Sequence, residues 1–476
     1  MNGFDISSIT NCYIGGTQAS AIYIGSTKLW PTAHDYSQDY FTIESLEDNN
    51  LIKLTSSSTT KRYITYRTSP TRPGNPAESG TGKYGNTFIT LNTGDKVYIS
   101  EGTSWDPVTT SDYTYFESSK TVNVYGNVNS VRDPSFKTNY KMIDQTYFYY
   151  RLFYKLKIVD ASNLVLPYTT LRNYCYMGMF EDCTTLTTAP ALPATTLTEG
   201  CYDSMFKGCT SLTATPALAA TSLPKGCYQY MFNGCTSLTT TPVLNILSQS
   251  NYSMQHMFDG CSSLLYVSNM NIRGSYQTPQ YMFANCTSLI SASNIVLTDT
   301  NTYCWRGMFE NCTSLTTTPQ MNIQSATSYA CYNMFKNCTS LTNVPASLPS
   351  AIYNYCYYGM FEGCTSLTTA PALPATTLYT GCYRQMFKRC TSLVNAPALP
   401  ATTLSQQGYL QMFYGCTNLN NVKCLAIDLS AANCVDNWLT SVSSTGTFTK
   451  NANMTSWPSG SSGIPTGWTV VDDSTT

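Results

Sequence analysis

The chain reads as an α+β repeat solenoid, each unit one short helix plus one short irregular strand, preceded by a small antiparallel β domain. Three observations predict this. Met-Phe followed by Cys-Thr-Ser-Leu, or a close variant, recurs ten times, at Met179, Met205, Met231, Met257, Met282, Met308, Met334, Met360, Met386 and Met412. Eight of the nine steps are 26 residues and one is 25, and a fixed period of this kind marks units that bury their apolar faces only against neighbours. Leucine falls three residues after every cysteine of the phrase, from Leu186 to Leu419. Ahead of the array the pattern changes to apolar and polar residues in alternation, the period of a half-buried strand.

Residues 1–32 come first. Ile6, Ile9, Tyr13 and Ile14 precede a Gly15-Gly16 turn, and residues 21–31 read as a hairpin closed by Gly25-Ser26. So short a segment builds no core of its own, so it is expected to dock onto something larger. Residues 36–147 hold alternating stretches at 40–43, 62–66, 88–91, 96–99 and 121–127. The stretch 69–85, with three prolines and four glycines, separates two of them as a turn region. Together they predict an antiparallel sandwich.

Residues 148–440 form the solenoid. In the unit at 201–223, Cys201, Met205 and Cys209 lie at i, i+4 and i+8, with Tyr202 and Phe206 as a second pair beside them. That spacing predicts a helix with an inward stripe, ended near Gly208. Leu212, Leu218 and Leu223 then mark an extended segment. Pro216 lies within it and donates no ladder bond, so the strand should be short. An aromatic follows the first cysteine of a unit at Tyr176, Tyr202, Tyr228, Trp305, Tyr332, Tyr357 and Tyr383, and these are expected to pack between repeats. Residues 441–476, with Trp457-Pro458 and Trp468, read as a C-terminal cap.

Composition narrows the function. The net charge is −1 and 11% of residues are charged, which gives no footprint for nucleic acid or an anionic membrane. No run of 18 apolar residues exists to insert in a membrane. The start lacks the basic and apolar regions of a signal peptide, so maturation in a reducing cytoplasm is expected. Ten of the twenty cysteines occupy the Cys-Thr-Ser-Leu column, and seven more lie seven or eight residues earlier. Eight helical residues span about 12 Å, too far for a disulfide, so packed thiols are expected. No Cys-x-x-Cys or histidine cluster points to a metal, and no cofactor motif occurs. With only His34 and His256, no Ser-His-Asp set can be drawn. The expectation is a protein without catalytic activity.

The phrase Cys-Thr-Ser-Leu-Thr-Thr-Ala-Pro-Ala-Leu-Pro after Met-Phe resembles the BspA-like leucine-rich repeats. The resemblance spans about residues 148–440 and implies a leucine-rich-repeat solenoid. This chain departs from the family's shorter unit by its 26 residues, its Met-Phe and its internal proline, which puts a regular concave sheet in doubt. Members of the family include adhesins, surface proteins and phage proteins of gut bacteria. Residues 1–32 also resemble the short start of phage and prophage proteins. That likeness implies attachment to other virion proteins, with Ile22, Tyr23, Ile24, Leu29 and Trp30 as candidate docking residues.

The sequence-based reading is a virion protein of fibre or decoration type, displaying the solenoid to a host-surface glycan or protein, as one chain or a homo-oligomer. A bacterial cell-surface or secreted adhesin is the alternative, and a purely structural spacer the second alternative. The array departs from its consensus at 245–252, 269–281, 294–303 and 320–328. Arg273, Tyr276, Tyr303, Trp305 and Arg306 lie in or beside those stretches. Arginine and aromatic side chains anchor interfaces, so these five are the candidate partner-binding residues.

Overall fold

The structure is a computed structural model that describes residues 13–14, 17–18, 22–24, 27–30, 39–56, 63–69, 79–83, 88–101, 111, 113–132 and 146–473. Its repeats contain no helix, which corrects the α+β expectation. Among the described residues the helical structure is one 3-10 turn, Val128–Val131.

The stretch expected to be helical is a coil of successive turns. In the unit at 200–209, the N–H groups of Tyr202, Ser204, Phe206 and Gly208 donate to Cys227, Gln229, Met231 and Asn233 of the next unit, at 2.8–3.1 Å. The alternate N–H groups, of Asp203, Met205, Lys207 and Cys209, donate to carbonyls three residues back. Every fourth residue is left-handed: Gly200, Ser204 and Gly208 have φ of 58°, 57° and 74°. An α-helix would spend each N–H on its own carbonyls. The turn coil instead turns half of them along the array and ties each unit to the next.

Burial follows the same four-residue period. Cys201, Tyr202, Met205, Phe206 and Cys209 are buried while Asp203 and Lys207 are partly covered on the outer side. Over nine residues a period of four and the helical 3.6 differ by less than about one position, so the inward stripe is the one a helix would show.

The core is a set of ladders. Phe153, Phe180, Phe206 and their equivalents to Phe413 stack with centroids 5.2–5.7 Å apart, an offset-stacking distance. Phe41 of the β domain abuts the first ring and Trp438 the last, at 5.3 and 6.5 Å. Each thiol of the Cys-Thr-Ser-Leu column donates to the Phe carbonyl of the preceding unit, at 2.9–3.2 Å. The nineteen described cysteines are buried free thiols. Cysteine suits the place because it is small, apolar and still a weak donor.

Tyr176, Tyr202 and Tyr228 stack inside, as do Tyr357, Tyr383 and Tyr409. Tyr332 is not in this column. Its Cys-Tyr pair stands one residue closer to Met334 than in other units, so Cys331 takes the inner place and Tyr332 stands half-exposed on the outer side.

The strands follow the prolines. Where the unit reads Pro-Ala-Leu-Pro, pairing shrinks to isolated bridges such as Ser347 with Ala372. Where the sequence loses that phrase, Met270–Arg273, Ile295–Thr298 and Gln320–Asn322 form a parallel three-stranded sheet. Pro319 precedes the last strand, a place proline tolerates.

At the front, Asn50–Ser56 pairs with Thr114–Ser118 and Phe88–Leu91 in one antiparallel sheet. The second sheet is mixed rather than purely antiparallel. Val122–Asn127 pairs antiparallel with Phe41–Ser45 and parallel with Ile158–Asp160 of the array, so the sheet runs into the solenoid. At the other end Asn421–Cys424, Thr447–Lys450 and Thr469–Asp472 continue the parallel stacking.

Candidate functional site

The four stretches that depart from consensus converge. Losing Pro-Ala-Leu-Pro lets the three central strands pair in full, and the pairing puts Asn271, Val296 and Gln320 side by side as register partners. Met270 and Ile295 of the adjacent row are buried, so the Asn271 row faces outward by strand alternation. Asn245, Asn269 and Asn294 extend the same lining, with Ile246 and Leu247 as apolar wall, around a groove of about 550 Å³.

No charged side chain lines this groove. Asn294 donates through Nδ2 to the Val267 carbonyl and Gln320 through Nε2 to the Ser293 carbonyl, both at 3.3 Å. Their amide oxygens remain available. The amides of Asn245, Asn269 and Asn271 have no hydrogen-bond partner among the described residues. The groove can therefore offer paired donors and acceptors to a neutral polar ligand.

The candidate residues separate. Arg273 lies two positions beyond Asn271 on the same outward face of its strand, beside the groove rather than in it. It pairs with Asp299 at 3.0 Å with both side chains more than half exposed, an interaction of little energy. Tyr276 is exposed and meets Tyr252 edge-on. Tyr303 and Arg306 belong to the turn coil. Tyr303 stacks on Tyr329 at 4.7 Å, and Tyr329 on Tyr355 at 5.0 Å. Arg306 covers Tyr332 at 4.9 Å and donates through Nε to the Tyr281 hydroxyl at 3.1 Å. Trp305 is a correction: it is fully buried, in the inner column that Tyr176 and Tyr202 occupy in other units. It contacts no partner at the surface.

The backbone of Ile22–Ile24 pairs antiparallel with Thr27–Trp30. The side chains of the docking candidates Ile22, Tyr23, Ile24, Leu29 and Trp30 lie outside the described residues, as does His34.

Sequence reasoning missed the groove amides themselves, and also a second surface cluster. Tyr332 and Tyr358 stack at 4.4 Å, with Arg306 over one and Arg384 over the other. A signal for the cluster existed: aligning the units on Met-Phe, rather than on their first cysteine, puts Tyr332 over Tyr358.

Charges on the turn coil are ordered rather than reactive. Glu181 is held by Arg151 and Lys207 of the flanking units, and Glu362 by Lys336 and Lys388. Burial pushes the Asp203 carboxyl up to about 6. Burial likewise pushes the Cys201, Cys304 and Cys382 thiols up to about 12, which removes the thiolate a nucleophile needs. His256 is stacked between Tyr230 and Tyr281 and bonded to Asp259 at 2.8 Å. Among the described residues no group of His, Cys, Asp and Glu could hold a metal ion, and no helix is long and apolar enough to cross a membrane.

A family model described as a BspA type leucine rich repeat region, in six copies, matches residues 123–290, 227–342 and 277–407, more than half of the chain. No curated protein and no solved structure matches it.

Proposed function

The chain belongs to the BspA type leucine-rich repeat family, whose solenoids mark surface or adhesion-type proteins, and on that premise we propose that it is a non-enzymatic recognition protein that attaches through the central groove. The observation that carries this is the convergence. Four separated departures from one consensus meet around a single groove of about 550 Å³, whereas drift in non-critical repeats would scatter over the array. Regular repeats supply a rigid frame on both sides, and sites on rigid elements hold their geometry. The test is attachment of the whole chain to bacterial cells, comparing the native chain with Asn271→Ala/Gln320→Ala. Loss of attachment is expected, and unchanged attachment would overturn the reading.

The carrier we propose is a phage particle, with the chain as a fibre or decoration protein and the N-terminal hairpin docked to other virion proteins. Supporting it are the likeness of residues 1–32 to phage starts and the paired strands Ile22–Ile24 and Thr27–Trp30. Family membership itself favours a second reading, a bacterial surface adhesin. Quantitative mass spectrometry of purified particles and of the outer-membrane fraction of uninfected cells separates the two. Stoichiometric presence in particles is expected, and presence only on uninfected cells would leave the adhesin.

A further inference from the structure

We propose that the groove takes a linear, uncharged oligosaccharide laid along the solenoid, one sugar residue per repeat. This rests on the groove being the attachment site and names its ligand class.

The lining chemistry comes first. Asn245, Asn269, Asn271, Asn294 and Gln320 are side-chain amides, each with a carbonyl acceptor and an NH₂ donor. A sugar hydroxyl is likewise donor and acceptor, and two vicinal hydroxyls match one amide. Without a lysine or arginine in the lining, an anionic sugar, a phosphate or an acidic peptide would lose its hydration with no cation in return. Arg273 lies beside the groove rather than in its lining, next to the Asp299 carboxylate.

The spacing comes second. Asn271, Val296 and Gln320 are direct register partners on adjacent parallel strands. Such strands lie about 4.7–4.9 Å apart, the length scale of one pyranose in an extended chain. A repeating ligand thus meets a repeating lining. Val296 lies between Asn271 and Gln320 in this row, and offers an apolar contact to the C–H face of a ring.

A polypeptide fits less well. Peptides that add to sheets do so along an unpaired strand edge, whereas this groove is lined by outward side chains on a sheet face. No aromatic side chain lines it as a pocket for a peptide anchor.

The test uses the whole chain and calorimetric titration with cellohexaose, xylohexaose, mannohexaose and laminarihexaose, with hexagalacturonate as the charged comparator. At least one neutral probe is expected to bind at micromolar to millimolar concentration. Asn271→Ala/Gln320→Ala should weaken that binding at least about tenfold with an unchanged melting temperature, because both side chains are exposed. Attachment to bacterial cells and to mucin-coated wells is scored in parallel, and tells whether the natural source is bacterial or mucosal polysaccharide. If no neutral probe binds, or only hexagalacturonate does, the inference is overturned. In that event loss of cell attachment by the same variant would still uphold the groove, and unchanged attachment would remove both.

Discussion

Replacing Gly307 by alanine distinguishes the turn coil from a helix by the sign of the effect. In a helix interior, Gly→Ala stabilises by roughly 0.5–1 kcal/mol. Here Gly307 has φ of 57°, and a left-handed backbone costs a residue with a Cβ about 1–2 kcal/mol. The new methyl would also lie 2.0 Å from Cε1 of Tyr281, so the ring must move. That ring stacks on His256 at 5.0 Å and accepts from Arg306 at 3.1 Å. Giving up the stacking costs about 0.5–1.5 kcal/mol and the hydrogen bond a similar amount. The expected result is a destabilisation of about 2–5 kcal/mol on these terms. Urea denaturation gives the stability, and hydrogen exchange by mass spectrometry locates the loss, which should centre on the units around residues 281 and 307 because each unit is tied to its neighbours. Equal or greater stability of Gly307→Ala would refute the left-handed assignment and restore the helix.

Three further outcomes follow from the core. Phe309→Ala removes a ring stacked on both sides at 5.5 Å and should cost about 3–5 kcal/mol; a loss under about 1 kcal/mol in the same denaturation would show that the ladder carries little. Tyr202→Phe removes a buried hydroxyl with no protein partner. An unmatched polar group is costly to bury, so the melting temperature should hold or rise, and a clear fall would reveal a partner for that hydroxyl. Asp203→Asn tests the raised carboxyl. An unfolded aspartate titrates near 3.9 while burial holds the folded one at about 6. Between those values the folded state keeps a proton that the unfolded state releases, so stability falls as pH rises through this window and the penalty is complete above it. The variant should therefore be more stable than the native chain at pH 8 and equal to it at pH 4, and equal stability at both would refute the shift.

The sequence by itself determined the period, the number of units, and the inward place of the Met, Phe and column cysteines. Met-Phe and the column cysteines recur at fixed spacing, and any regular backbone that repeats with them must bring Phe180, Phe206 and Phe232 into one ladder. It also located the stretches where a specific surface would depart from the frame, and it anticipated that Pro216 and its equivalents would cut the strands short. What the tertiary structure decided was the backbone between those points. A helix and a coil of left-handed turns bury the same residues over two turns. The choice rests on where the N–H groups go, and their acceptors lie 25 residues away in the next unit, beyond any local signal. The same long-range pairing set the register that lines Asn271 up with Gln320 across Val296 and ties the units in which Tyr332 faces outward. It also decided between the two readings of Trp305, as an aromatic packed between repeats or as a surface anchor, by burying it fully.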